Sequence, residues 1–136
     1  MRKTKTATIM MVCLIILSLV FSGCTNEKDQ KVAQILAKML DTDNIAYTKI
    51  SVGGNEIIVE YEASSASKYD EQIITDWANI FFAASNFDYD KIVIINNVNG
   101  EPYAKLTTTR ENVLNLINSD INEYIFFENV EIKSLN

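Results

Sequence analysis

The run Ile45-Ala46-Tyr47-Thr48-Lys49-Ile50-Ser51-Val52, then Gly53-Gly54-Asn55, then Glu56-Ile57-Ile58-Val59-Glu60-Tyr61-Glu62-Ala63 decides the fold. In its second half Ile57, Val59 and Tyr61 alternate with Glu60 and Glu62, the two-residue period of a strand with one buried and one wetted face. Between the halves, Gly53-Gly54 tolerates the positive φ that a tight hairpin turn demands. The stretch therefore reads as an antiparallel hairpin. A second pair follows the same logic: Lys91 to Asn96 and Glu101 to Thr108 flank Asn99-Gly100, a type I′ turn signal. Ile92-Val93-Ile94-Ile95 is apolar on both faces, which places that strand centrally in the sheet. Pro102 has no N–H to donate and is confined to the start or edge of its strand.

Helical periodicity surrounds these hairpins. Before the first, Val32, Ile35, Leu36, Met39 and Leu40 recur at helical spacing, with Lys28, Lys31 and Lys38 elsewhere on the cylinder and an end near Asp41. Between the hairpins, after a polar break at Ser64 to Ser67, Ile73, Ile74, Trp77, Ile80, Phe81 and Ala84 draw a broad apolar stripe with Trp77 at its middle, expected at the centre of the core. Ser65 or Ser67 can cap this helix, and Asp70 and Glu71 suit the positive end of its dipole. After the second hairpin, Thr108 and Glu111 resemble a capping box for a helix through Val113, Leu114, Leu116 and Ile117, which Ser119-Asp120 interrupts and re-caps for a further turn through Glu123. Phe126 to Ile132 is read as a short edge strand.

The order α-ββ-α-ββ-α, with that final strand, predicts an α+β domain: an antiparallel sheet of four or five strands with helices on one face. The hairpins open alike, in Tyr47-Thr48-Lys49-Ile50-Ser51-Val52 and Tyr89-Asp90-Lys91-Ile92-Val93-Ile94. A duplicated ββα unit and the general likeness of strands both account for this.

The amino-terminal segment is of another kind. Arg2, Lys3 and Lys5 precede a run from Ile9 to Phe21 that is apolar except for Ser18, as in an export signal. A membrane-spanning helix needs about 20 apolar residues, and Ser22-Gly23 cuts this run short. Phe21-Ser22-Gly23-Cys24 resembles the lipobox of prokaryotic membrane lipoproteins, with Phe21 where that family usually has Leu. The resemblance implies a diacylglyceryl group, with palmitate-type acyl chains, on the Cys24 thiol and cleavage just before it. Residues 1–23 would then be a signal peptide, 24–29 the lipidated cysteine and its tether, and 30–136 a single domain. Two acyl chains hold a protein on a bilayer where one gives only marginal binding. A tether from Thr25 to Asp29 reaches no more than about 18 Å.

Removing residues 1–23 from the 136 leaves 113, the usual size of one domain. The 12 basic and 18 acidic residues of the whole chain become 9 and 18 without Arg2, Lys3 and Lys5, a net charge of −9. Such a surface should repel nucleic acid and anionic headgroups, so membrane attachment is assigned to the lipid. Cys13 leaves with the signal and Cys24 carries the lipid, so no thiol remains for a disulfide or a metal. The chain has no histidine, which removes the commonest general base and the commonest transition-metal ligand.

Three constellations bear on chemistry. Ser65-Ala66-Ser67-Lys68 has the Ser-x-x-Lys pattern that resembles the nucleophile motif of penicillin-binding proteins and serine β-lactamases, in which lysine one helical turn away takes the serine proton. Those families also need Ser-Asp-Asn and Lys-Thr-Gly; this chain offers only Ser119-Asp120-Ile121, so Ser65 is read as a helix cap and Lys68 as a surface lysine. Asp41-Thr42-Asp43-Asn44 and Asp88-Tyr89-Asp90 alternate carboxylates as calcium loops do, but counting from Asp41 the glycine and glutamate positions of an EF-hand are Ala46 and Val52. They are read as helix ends and strand starts. Gly53-Gly54 and Asn99-Gly100 precede strands, so neither resembles a phosphate cradle. Phe82, in the pair Phe81-Phe82, is the candidate partner surface, although the stripe Ile74, Ala78, Phe82 can be buried whole by a helix lying across a sheet.

No catalytic residue, cofactor or metal is therefore expected. The reading is a non-catalytic, lipid-anchored binding or interaction protein on the extracytoplasmic side of the cell envelope, with membrane contact through Cys24, a protein or small-ligand partner and no nucleic acid. The alternatives are a small-ligand receptor, with a pocket between sheet and helices lined by Tyr61, Trp77 or Tyr103, and a hydrolase using Ser65 and Lys68.

Overall fold

The computed structural model describes residues 26–63 and 70–135. Their order is α1 (Glu27–Thr42), β1 (Tyr47–Gly53), β2 (Glu56–Ala63), α2 (Glu71–Ala84), β3 (Lys91–Val98), β4 (Glu101–Thr109), α3 (Arg110–Ile117), α4 (Glu123–Glu128) and β5 (Glu131–Ser134). The five strands form one sheet in sequence order, and the domain is α+β.

Both hairpins close as their turn residues dictate. Gly54 and Asn55 have φ of 58° and 61°, and Asn99 and Gly100 have 54° and 80°, the paired positive values of a type I′ turn, whose twist matches that of the flanking strands.

The sheet is not wholly antiparallel as the sequence reading expects. β1/β2, β3/β4 and β4/β5 are antiparallel, but β2 and β3 run parallel. The reason lies in α2: its 14 residues span about 21 Å, close to the roughly 26 Å of the eight-residue β2, so the helix carries the chain back to the end where β2 began. The next strand then has to point the same way, as in any β-α-β crossover.

That parallel pair also bears on the apparent repeat. β1 and β4 point one way and β2 and β3 the other, while α2 and α3 pack into the same core. A rotation that reverses strand direction but keeps strand order would put the two helices on opposite faces. The ββα units therefore have opposite hand and do not superpose, and the likeness of Tyr47–Val52 to Tyr89–Ile94 is that of two strands facing one core.

The covered face is built in rows across the sheet: Val52, Ile57 and Ile92, then Ile50, Val59, Ile94 and Leu106, all buried. Above them lie Leu36 and Leu40 of α1, Ile73, Trp77, Ile80 and Phe81 of α2, Val113 of α3 and Phe126 of α4. Phe81 and Phe126 meet edge to face with centroids 5.8 Å apart, joining α2 to the carboxyl-terminal part of the fold. Burial of each large side chain contributes about 1.5–3 kcal/mol, so this row-and-helix contact is the main source of stability.

Four element boundaries differ from expectation. α1 begins at Glu27, capped by Asn26, so Asn26 to Asp29 belong to the domain and not to a tether. α2 is capped by Asp70, whose carboxylate accepts from the amides of Gln72 and Ile73 at 2.9 and 3.4 Å, in place of Ser65 or Ser67. Thr109, not Thr108, caps α3; Thr108 turns into the core, where its hydroxyl accepts from Asn112 at 2.9 Å. Phe126 and Phe127 are in α4, capped by Asn122, and the edge strand starts only at Glu131. A local side-chain cap outweighs the strand preference of the aromatic pair.

Candidate functional site

Cys24, Ser65 and Lys68 lie outside the described residues, but the amino end of α1 does not. The Asn26 Oδ1 accepts from the Asp29 amide at 2.8 Å, satisfying one of the donors that a helix start leaves open. Asp29 is buried, and its Oδ1 accepts from the Tyr89 hydroxyl at 2.5 Å. The Lys28 ammonium sits 5.8 Å from the centre of the Tyr89 ring, within cation–π range. The first turn of α1 is thereby fastened to the segment between α2 and β3.

Outside this fastening is an open hollow of about 460 Å³ lined by Glu27, Lys28, Lys31, Val32, Ile35 and Phe87. Ile35 is 51% exposed, and Phe87 is half-buried. Lys31 lies 3.8 Å from Glu27 in an exposed pair that contributes little to stability.

Phe82 is half-buried and packs against the core. The strongly exposed apolar side chains are Ile35 on α1 and, in the carboxyl-terminal third, Ile117, Tyr124, Ile125, Ile132 and Leu135. Ile35, expected in the apolar stripe of α1, stands on its exposed side instead. Tyr124, Ile125 and Ile132 gave no warning because α4 is one and a half turns long and β5 four residues, too short for either period to separate inward from outward positions.

Tyr61 and Trp77 are core residues, 3% and 4% exposed. The Trp77 Nε1 donates to the Asn96 Oδ1 at 3.2 Å; the Tyr61 hydroxyl donates to Asp76, whose other oxygen accepts from Gln72 at 2.9 Å. Burial, then the hydrogen bond and charge of Asp76 and the charge of Asp70, push the Tyr61 hydroxyl well above its ordinary pKa. Tyr103 is half-buried and is the extra residue where β3 and β4 shift register, between Pro102 and Ala104. None of Tyr61, Trp77 and Tyr103 lines the hollow at α1 or those beside α3 and on the uncovered face.

Two further hollows are polar. One of about 560 Å³ lies beside α3, among Asp90, Thr109, Arg110, Glu111 and Asn115. The other, about 310 Å³, lies on the uncovered face among Glu56, Lys91, Lys105, Thr107, Glu131 and Lys133. Both mix cations with carboxylates.

The carboxylates of the calcium-like stretches are spent locally. Asp90 accepts from the Asn55 side chain at 2.6 Å, tying the first hairpin turn to the start of β3, and Asp88 lies 3.9 Å from Arg110. Asp41 sits near Tyr47, whose hydroxyl is pushed up by burial first and by that carboxylate second. Among the described residues no three His, Cys, Asp or Glu side chains are grouped to hold a metal ion. Among the same residues no helix is long and apolar enough to cross a membrane. No protein-family model, curated protein or solved structure matches the chain.

Proposed function

We propose that this chain is a lipid-anchored, non-catalytic binding or interaction protein of the extracytoplasmic cell envelope. The observation that carries the reading is Phe21-Ser22-Gly23-Cys24 following a cationic and then apolar leader. The described domain is consistent with it: α1 carries its own cap at Asn26, two residues after Cys24. The last third of the chain exposes Ile117, Tyr124, Ile125, Ile132 and Leu135, side chains available for contact with a partner.

Intact-mass measurement of protein extracted from membranes of a prokaryotic host tests the anchor. The expected product lacks residues 1–23 and carries a diacylglyceryl group on Cys24, and Cys24→Ser leaves the leader in place. An unmodified Cys24 with the leader still attached overturns the proposal.

A further inference from the structure

Lys28, Lys31, Ile35 and Lys38 fall at i, i+3, i+7 and i+10 of α1, and all four are exposed. That spacing keeps them on one stripe of the helix, opposite the buried Ala33, Leu36 and Leu40. Three of the 9 cations left after removal of residues 1–23 thus stand on one stripe of a domain of net charge −9. Only Thr25 separates Cys24 from the Asn26 cap, so the anchor point and the helix cap are at most about 7 Å apart along the chain.

We propose that α1 lies flat on an anionic bilayer, with Lys28, Lys31 and Lys38 at the headgroups and Ile35 between them at the interface. This rests on the lipid anchor at Cys24. The anchor keeps the stripe next to the surface, so a contact too weak to recruit a free protein suffices to orient a tethered one. A lysine near an anionic leaflet gains roughly fivefold in occupancy, and this gain falls away beyond a screening length of about 8 Å. Lys38 is about 15 Å along the axis from Lys28, so all three lysines share the gain only when the helix lies parallel to the surface. Glu27 flanks the stripe and sits beside Lys31, which offsets part of one charge. Lying flat places the helix layer between the bilayer and the sheet and turns the uncovered face of the sheet away from the lipid.

The test uses the processed, lipidated protein, in which removal of the leader and acylation of Cys24 leave no free thiol. A single fluorophore is placed at Ile35→Cys or, as control, at Glu131→Cys, with the protein in vesicles whose lipids bear a nitroxide at headgroup level. Expected is several-fold stronger quenching at position 35 than at 131 in phosphatidylglycerol-containing vesicles, a loss of that difference in pure phosphatidylcholine, and the same loss in Lys28→Gln/Lys31→Gln/Lys38→Gln. The double variant Lys31→Gln/Lys38→Gln, which leaves the Lys28–Tyr89 contact intact, should show a partial loss. Equal quenching at both positions, or quenching indifferent to lipid charge and to the lysines while the protein stays on the vesicles, overturns the docking alone. A position-35 signal that depends on protein concentration rather than on lipid nitroxide assigns the stripe to a second copy of the chain and also overturns it. Release from vesicles with Cys24 unmodified overturns both docking and anchor.

Discussion

The two faces of the sheet are made by the same five strands, yet they meet different demands. On the covered face the buried polar side chains are paired with one another: Trp77 with Asn96, Tyr61 with Asp76, and Asn112 with Thr108 and the Phe126 carbonyl. On the other face the register partners are Lys49 with Glu60, Glu56 with Lys91 and Lys105 with Lys133, and Asn97 there buries an amide oxygen that has no partner. A buried polar atom without a partner costs free energy on either face, so the pairs on the covered face stabilise the fold while the Asn97 oxygen is a cost carried on the charged face. Stability is concentrated on one side, and the other is left free to change or to be used.

The largest test of this asymmetry compares Phe126→Ala with Ile58→Ala. Phe126 is fully buried and touches Phe81, so its truncation should cost about 3–5 kcal/mol in chemical denaturation. Ile58 projects from the charged face and is half-buried, so the same truncation should cost about 1 kcal/mol. Comparable losses would mean that the two faces carry the fold equally.

Much of this arrangement could be read locally from the residues. Gly53-Gly54-Asn55 and Asn99-Gly100 specify their turns by backbone chemistry confined to two positions, and the stripe through Trp77 specifies which side of α2 is inside. The parallel β2/β3 pair was not legible in that way, because strand direction depends on how far a connecting helix carries the chain; the usable cue was the match between the lengths of α2 and β2. Caps were misplaced by one to five residues where several polar residues competed, as at Ser65, Ser67 and Asp70. The proposed site is of two kinds: Cys24 is proposed from a linear pattern alone, outside the described residues, whereas the meaning proposed for Lys28, Lys31 and Lys38 depends on α1 being capped at Asn26, one residue beyond Thr25. Phe82 stands out because its neighbour Phe81 takes the core position, and the wide stripe Ile74, Ala78, Phe82 accounts for its half-burial.

A pH titration sharpens the comparison through Tyr61. Its pKa is raised in the folded state, so the folded protein holds the hydroxyl proton more tightly than the unfolded chain, whose tyrosines titrate near about 10. The resulting stabilisation is complete below about pH 10 and is lost as the pH rises from there toward the folded value. Tyr61→Phe should reduce stability at neutral pH by about 1–2 kcal/mol, through the lost hydrogen bond to Asp76, and should make the decline above about pH 10 shallower. Thermal unfolding followed at several alkaline pH values reads both effects. An unchanged alkaline slope would assign the decline to other groups, Tyr47 among them.

The smallest expected effect, at Asn97, is best read against its neighbour Asn96, since the two residues of β3 point to opposite faces. Asn96→Val removes the acceptor of the Trp77 Nε1 and leaves that N–H buried without a partner, which should cost about 1–3 kcal/mol. Asn97→Val replaces a buried amide whose oxygen is already unpaired with a side chain that favours strands, and should be neutral or stabilising by up to about 1 kcal/mol. Opposite signs for adjacent Asn-to-Val changes, measured by denaturant midpoint at constant slope, would show that what distinguishes the faces is the pairing of polar atoms rather than their burial, since Asn96 and Asn97 are nearly equally buried. A clear loss of stability in Asn97→Val would instead reveal that its amide nitrogen supports the irregular pairing between Asn96 and Asn97, where β3 and β4 shift register.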